Sequence, residues 1–577
     1  MPSDRRGSLT GGAAPAAIRG WAGASARVRA RRVAVLGTAM SLATCGALAV
    51  VLFTPPAGAQ SLPATGGTGA GAATLGKTDD AGHGLDPSGK PMSAIQWLSK
   101  SVTTPAAPKT QVPAGTPGVL PGAVSTSVLN QGPALDAVGL LPVRTTGFPR
   151  GLWGKTPTAQ LIRLIRGTDL DTLPALQSLF TEMLLAEVDA PDDSTGDGSL
   201  LLARIDRLLD EGALDQAQAL LELAGTGRAD LFRRKFDVSL LLGDETQACA
   251  QMKAQPDVAP TFPARIYCLA RNGDWSAAAL TLKTAEALGF VKGDMANLLG
   301  RFLDPALEED SDPMPPPARP SPLVWRMMEA IGEPMPTTTL PIAFAQADLR
   351  ENIGWKSQLD AAERLARTGA IPANRLWALY REHEAAASGG VWDRVARVHM
   401  LDDALKRGNA GAVEMALPEA WKSFREAELE VPFARTYADR LAKLRLTGQA
   451  AQARFEIALL SKDYEALSKT LPAPTPRDRF LASLAQGHPS VDAAPNAMGH
   501  AIAQAFAEPP PVPQDLADLV ANQQLGAAIL NAIGGITNGA KGDLAGVTGG
   551  LALLLKVGLV DVARRTALQL MLLDRRG

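Results

Sequence analysis

Five histidines, three cysteines and one phosphate-loop-like run are the residues of this chain that could do chemistry. Gly71-Ala72-Ala73-Thr74-Leu75-Gly76-Lys77-Thr78 has the letters G-x-x-x-x-G-K-T. Such a loop holds phosphate only where a strand leads in and a helix leads out, so that backbone N–H groups converge. Here Leu62-Pro63-Ala64-Thr65-Gly66-Gly67 precedes and Asp79-Asp80-Ala81-Gly82 follows, so the match is chance in a Gly/Ala/Thr-rich tract. Leu62 to Gly66 also copies a sortase signal, but it lies near the N-terminus with no hydrophobic tail directly behind it, and is read as chance too. His83, His383, His399, His488 and His500 have no partner at metal-ligand spacing. His383-Glu384 begins like a zinc-protease helix, but position 387 is Ala. His383 and His399 therefore read as solvated or satisfied helix residues. No G-x-S-x-G elbow and no Cys–His pair stands out. No catalytic residue, cofactor or metal is expected, and the chain is read as a non-enzyme.

Cys249 and Cys268 flank the turn Pro256-Asp257-Val258-Ala259-Pro260, almost symmetrically. Antiparallel helices on either side bring the two thiols opposite each other. The preferred reading is a structural disulfide in an oxidising compartment, worth about 3 kcal/mol for a loop of this size. The other reading is two small buried apolar residues.

The element that positions these residues announces itself as a five-residue step, a Gly followed five positions later by an Ala. It occurs at Gly212/Ala217, Gly243/Ala248, Gly273/Ala278, Gly448/Ala453 and Gly558/Ala563, and with Val at Gly408/Val413. Spacing near 30 residues means stacked helical hairpins. Glycine supplies the left-handed turn between two helices, and the Ala lets their backbones approach. Asp215, Asp244 and Asp274 stand near the start of the second helix, where they can cap it or favour its dipole. Hairpins are expected at 199–224, 229–255 and 262–288. Leu161, Leu164 and Ile165, then Leu176, Leu179, Phe180 and Met183, keep helical spacing ahead of them. Aromatics are only 5% of the chain and the apolar share is 46%, which suits short, closely packed helices.

At these Gly-x-x-x-x-Ala steps the chain resembles tetratricopeptide-like α-solenoids, well over 195–290 and loosely over 355–575. It is also similar to exported helical-repeat proteins of α-proteobacteria, a likeness that implies no function. The resemblance implies an all-α fold, an α-α superhelix of helical hairpins behind a disordered N-terminal segment, used as a binding surface. Soluble lytic transglycosylases also carry α-superhelices, but their pattern sets a Ser directly after the catalytic Glu, and no Glu-Ser pair occurs here.

The expected organisation is a signal peptide or signal anchor at 1–59 and a disordered Pro/Gly/Ala-rich linker at 60–155. A helical-repeat arc follows at 156–307, a Pro-rich break at 308–322 and a second arc at 323–507. A further Pro-rich break at 508–513 precedes a C-terminal apolar helical cap at 514–577. Arg27, Arg29, Arg31 and Arg32 lead into an apolar run from Val33 to Phe53, and Ala57-Gly58-Ala59 offers a cleavage site. The run of 21 residues is also long enough to span a bilayer, so cleavage and anchoring both stand. Leu42-Ala43-Thr44-Cys45 has a lipoprotein-box look but sits inside that run, and is read against lipidation. The linker carries two apolar islands, one with Trp97 and Leu98, the other with Leu140, Leu141 and Trp153. They either dock on the solenoid in cis or recruit a partner.

Residues 1–59 hold seven Arg and one Asp, which leaves −8 on the remainder of a chain of net charge −2. A mildly acidic mature chain argues against nucleic acid. The uncharged run Leu544 to Leu555 is too short to cross a bilayer and reads as a buried terminal helix. The expectation is an exported, periplasmic scaffold or adaptor, held to the inner membrane by residues 33–53 if the signal is retained. It would bind envelope proteins or peptides. An envelope enzyme acting on cell-wall glycan, or a passive spacer, are the alternatives.

Overall fold

The structure is a computed structural model that describes residues 134–169, 171–304, 306 and 312–573. The export segment, the Cys45 box, the run 71–78, His83, Trp97 and Leu98 lie outside the described residues.

The chain is all-α. Helices α1 (Thr158–Gly167) and α2 (Pro174–Leu185) lead into three hairpins. These are α3 (Ser199–Asp210) with α4 (Leu214–Ala224), α5 (Ala229–Leu242) with α6 (Thr246–Ala254), and α7 (Phe262–Arg271) with α8 (Trp275–Ala287). Helices α9 (Gly293–Leu303) and α10 (Pro322–Ala330) follow, then a 3-10 stretch Ile342–Leu349. Next come α11 (Trp355–Arg367), α12 (Ala373–Tyr380), α13 (Val391–Lys406), α14 (Ala410–Glu426) and α15 (Glu430–Leu441). The chain ends with α16 (Gly448–Leu459), α17 (Tyr464–Thr470), α18 (Pro476–Gln486), α19 (Ala497–Ala505), α20 (Gln514–Ala521), α21 (Leu525–Ala540), α22 (Leu544–Lys556) and α23 (Val560–Leu572). Among the described residues the only sheet is a two-residue parallel pair, Leu141–Pro142 with Ala186–Glu187.

Five of the six Gly-Ala or Gly-Val steps share one turn. Gly212, Gly243, Gly273, Gly408 and Gly558 all have positive φ, between 63° and 88°. In each, the residue after the glycine donates its N–H to the carbonyl five residues back, as Ala213 does to Leu208 at 2.8 Å and Leu559 to Leu554 at 2.8 Å. That bond closes the end of the first helix on carbonyls it would otherwise leave unpaired. Ala217, Ala248, Ala278, Val413 and Ala563 are all fully buried where the hairpin helices meet. Asp274 caps α8 by accepting from Ala277 N at 3.2 Å. Asp215 instead faces Arg375 at 3.7 Å, and Asp244 accepts from the Gln218 amide at 3.1 Å. Gly448 departs from the pattern, because it is the first residue of α16 and the turn precedes it. Ala453 is still buried.

Glycine has a second use in the last hairpin. A Cβ at Gly550 would come within 2.5 Å of Ile536, one at Gly539 within 2.3 Å of Val547, and one at Gly546 within 2.5 Å of the Gly535 carbonyl. The backbones of α21 and α22 pack this closely only because side chains are missing there.

The helices form a closed circuit. Neighbours pack in the order α2, α3, the 3-10 stretch, α11, α12, α15, α16, α17, α18, α23, and α23 packs back on α2. Helix α1 packs on α21 in the same joint. Gly526 N–H donates to Leu152 O at 2.8 Å, Lys155 N–H to Gln523 O at 3.1 Å, and Ala175 N–H to the Gln569 side chain at 2.8 Å. The Thr172 and Thr537 hydroxyls lie 2.6 Å apart, and Lys541 pairs with Asp169 at 3.1 Å. Helices on the two sides of each proline-rich stretch also touch, α5 on α10 and α19 on α22. No helix among the described residues is long and apolar enough to cross a membrane.

Candidate functional site

A groove of about 690 Å³ lies between α14, the start of α15 and α16. Five carboxylates line it, Glu419, Glu426, Glu428, Glu430 and Glu456, against two cations, Lys422 and Arg425. Gln449, Gln452 and the edge of Trp421 complete its wall. Trp421 is buried, and its indole N–H donates to Glu456 Oε2 at 3.0 Å, which ties α14 to α16. The other Glu456 oxygen accepts from the Gln452 amide at 3.3 Å and faces Arg477 at 3.6 Å. The lining contains no Ser, Thr, Cys or His. Its chemistry is that of a polar acidic slot in which the Gln452 amide is engaged with Glu456 and Asp478 and the Gln449 amide lies on the wall.

Glu428 closes the turn between α14 and α15 in the same geometry as the glycine turns. Its φ is 57°, and Leu429 N–H donates to Phe424 O at 2.9 Å. A side chain in this left-handed region costs about 1–2 kcal/mol. Gln523 repeats the arrangement with φ 62°, Gln524 N–H donating to Leu519 O at 2.9 Å, and Ala528 fully buried five residues on. Gln523 is thus a hidden repeat of the Gly-Ala step, while Glu428 repeats only its turn, with the buried Phe433 standing five residues on. Gln523 then spends its own carbonyl on Lys155. Glu428 borders the groove and also a second cavity of about 200 Å³ between α2, the α11–α12 turn and α15.

The four tyrosines of the chain are all set beside carboxylates with arginines around them. Tyr267 OH donates to Glu245 at 2.8 Å, and Arg271 and Arg326 approach the same carboxylate at 3.1 and 3.6 Å. Tyr380 OH donates to Glu363, which Arg394 grips with two bonds of 2.6 and 2.7 Å. The Tyr437 hydroxyl faces Asp402 without a hydrogen bond of regular geometry, while Arg381 and Arg440 bond that carboxylate at 2.6 and 3.2 Å. Tyr464 OH donates to Asp561 at 2.9 Å, and Arg565 bonds its other oxygen at 2.7 Å. In each, burial first and the adjacent carboxylate second push the phenol above its ordinary range, so all four stay neutral. They join helices: α7 to the start of α6, α12 to α11, α15 to α13, and α17 to α23.

The other residues singled out from sequence are scattered. Cys249 and Cys268 are bonded across α6 and α7, with Cα atoms 4.9 Å apart and both side chains buried. Trp153 is fully buried on its own chain, while Leu140 and Leu141 are half-buried, Leu141 opposite Ala186. His383 lies edge-on to Trp355 at 5.1 Å. His399 bonds Tyr380 O at 2.8 Å and Glu384 at 3.1 Å. None of them reaches the groove, whose residues carry no motif a sequence scan would find.

No protein-family model, curated protein or solved structure matches this chain.

Proposed function

We propose that the protein is an exported, non-catalytic scaffold whose helical-repeat surface holds a protein or peptide partner in the groove between α14 and α16. The observation that carries this reading is the groove itself, about 690 Å³ with five carboxylates against two cations. That charge favours a segment rich in Lys or Arg, since complementary potentials steer association and select partners. The amide of Gln449 suits an extended backbone. The basic n-region and apolar run at 27–53 support export to the periplasm, with anchoring there if the run is retained.

In-cell crosslinking and mass spectrometry on a C-terminally tagged protein with its native N-terminus test this. Lys422, inside the groove, is a natural crosslinking amine. Recurrent links from Lys422 to one envelope protein, lost in Glu419→Lys/Glu426→Lys, support the reading. Only links within the chain overturn it. The most N-terminal peptide in the same sample reports whether residues 33–53 are kept.

A further inference from the structure

We propose that Glu211 is a proton-operated latch: as a neutral acid it holds closed the joint where the first helices of the circuit meet the last, and its ionisation opens that joint.

Glu211 sits just after α3, only 4% exposed. It borders a void of about 10 Å³ walled by Thr168, Asp169, Thr172, Phe180, Thr368 and Ile533. Four parts of the chain distant in sequence therefore meet on this one carboxyl: the α1–α2 loop with α2, the end of α3, the end of α11, and α21. The void is at the lower limit of what one water fills, so no solvent shell can form around a charge there.

Hydrogen counting assigns the proton. The Thr181 hydroxyl lies 2.9 Å from Gln177 O and 3.0 Å from Glu211 Oε2. It has one hydrogen to give. A backbone carbonyl has none, so an ionised Glu211 would compete with Gln177 O for it. A protonated carboxyl removes the conflict: Glu211 donates to Thr181, and Thr181 donates to Gln177 O. The remaining oxygen, Oε1, has no hydrogen-bond partner, a position far less costly for a neutral acid than for a carboxylate.

The surrounding charges do not replace that proton. Arg207, one turn earlier on α3, is engaged with Asp210 at 3.2 Å and with the Thr168 carbonyl, and lies over the Phe180 ring. Asp210 adds repulsion. Asp169, on the loop, is paired with Lys541. Arg367, at the end of α11, is bonded to Ala427 O and faces Glu363. Helix α21 carries no charged residue, and α2 brings Thr181 and Gln177 to the joint. Burial pushes the carboxyl up from its ordinary 4.5 to about 8, against smaller opposing effects of Thr181 and Arg207.

Between those two values the closed joint keeps a proton that the open joint releases. Closure then weakens about tenfold for each pH unit inside that window and less at its upper end, about fiftyfold from pH 6 to 8. Hydrogen exchange on the full chain, corrected for intrinsic rates, reads this in peptides covering 171–181 and 525–540. The expected result is protection that falls about fiftyfold from pH 6 to 8 in the wild type and stays level in Glu211→Gln. Wild-type protection that is constant over this range overturns the proposal without any variant. Equal slopes in the wild type and Glu211→Gln overturn it as well.

Discussion

The Trp153 ring occupies the space that a side chain on residue 526 would need: a Cβ there would lie 2.7 Å from Trp153 Cε3. Gly526 also donates its N–H to the carbonyl of Leu152. These positions are 373 and 374 residues apart in sequence, and their contact is part of what closes the circuit.

Gly526→Ala is therefore expected to destabilise the protein, although Ala is the better helix former by about 1 kcal/mol. Overpacking against a fixed ring costs about 1–3 kcal/mol. Trp153→Ala should cost more, about 3–5 kcal/mol, by leaving a cavity. Urea unfolding of both variants checks the order. A stabilised Gly526→Ala would mean that the joint is loose.

Glu428→Gly should raise stability by about 1 kcal/mol, because glycine takes the left-handed conformation without the Cβ penalty. The same change removes a carboxylate from the groove, so affinity for a basic peptide should fall. Chemical unfolding and peptide titration together distinguish strain kept for binding from strain kept for nothing.

The tyrosine joints should rank by burial. Tyr380→Phe takes one of the partners from a carboxylate that is 3% exposed, and removal of a hydrogen bond to a buried charged group costs about 1.5–3 kcal/mol. Tyr464→Phe faces Asp561, which is 56% exposed, and should cost less. Equal losses in urea unfolding would refute the joint as the source of the effect.

Asp237 adds a pH dependence of its own on α5. Burial, outweighing Arg233 and Arg234, pushes its carboxyl from an ordinary 3.8 to about 7. A raised folded value means the folded state holds the proton more tightly. Its stabilising contribution is complete below 3.8, declines as pH rises and is gone above about 7. The decline is at most about 1.4 kcal/mol per pH unit. Asp237→Asn should flatten unfolding free energy between pH 5 and 7, and an unchanged slope would refute the assignment.

How much was legible from the sequence divides along the range of the forces involved. Gly212, Gly243, Gly273, Gly408 and Gly558 announce their turns because a left-handed residue and its closing hydrogen bond are settled within six residues. The Cys249–Cys268 pairing was legible for the same reason, since one turn between antiparallel helices brings the two together. Gly448 shows the limit of letters: it has the right spacing but begins a helix. Glu428 and Gln523 show the reverse, with the right geometry and no glycine to mark it.

The sequence by itself determined an all-α chain of helical hairpins, where most of them turn, and which two cysteines meet. Only the tertiary structure decided that the hairpins close on themselves through Leu152, Trp153 and Gly526. The groove residues around Trp421 and Glu456, and Glu211 at the joint, likewise became visible only there. The physical reason is that turn conformation and apolar spacing are paid for locally. Burial of a carboxyl, or the fit of an indole against a distant glycine, depends on which helices become neighbours, and no short stretch of chain records that.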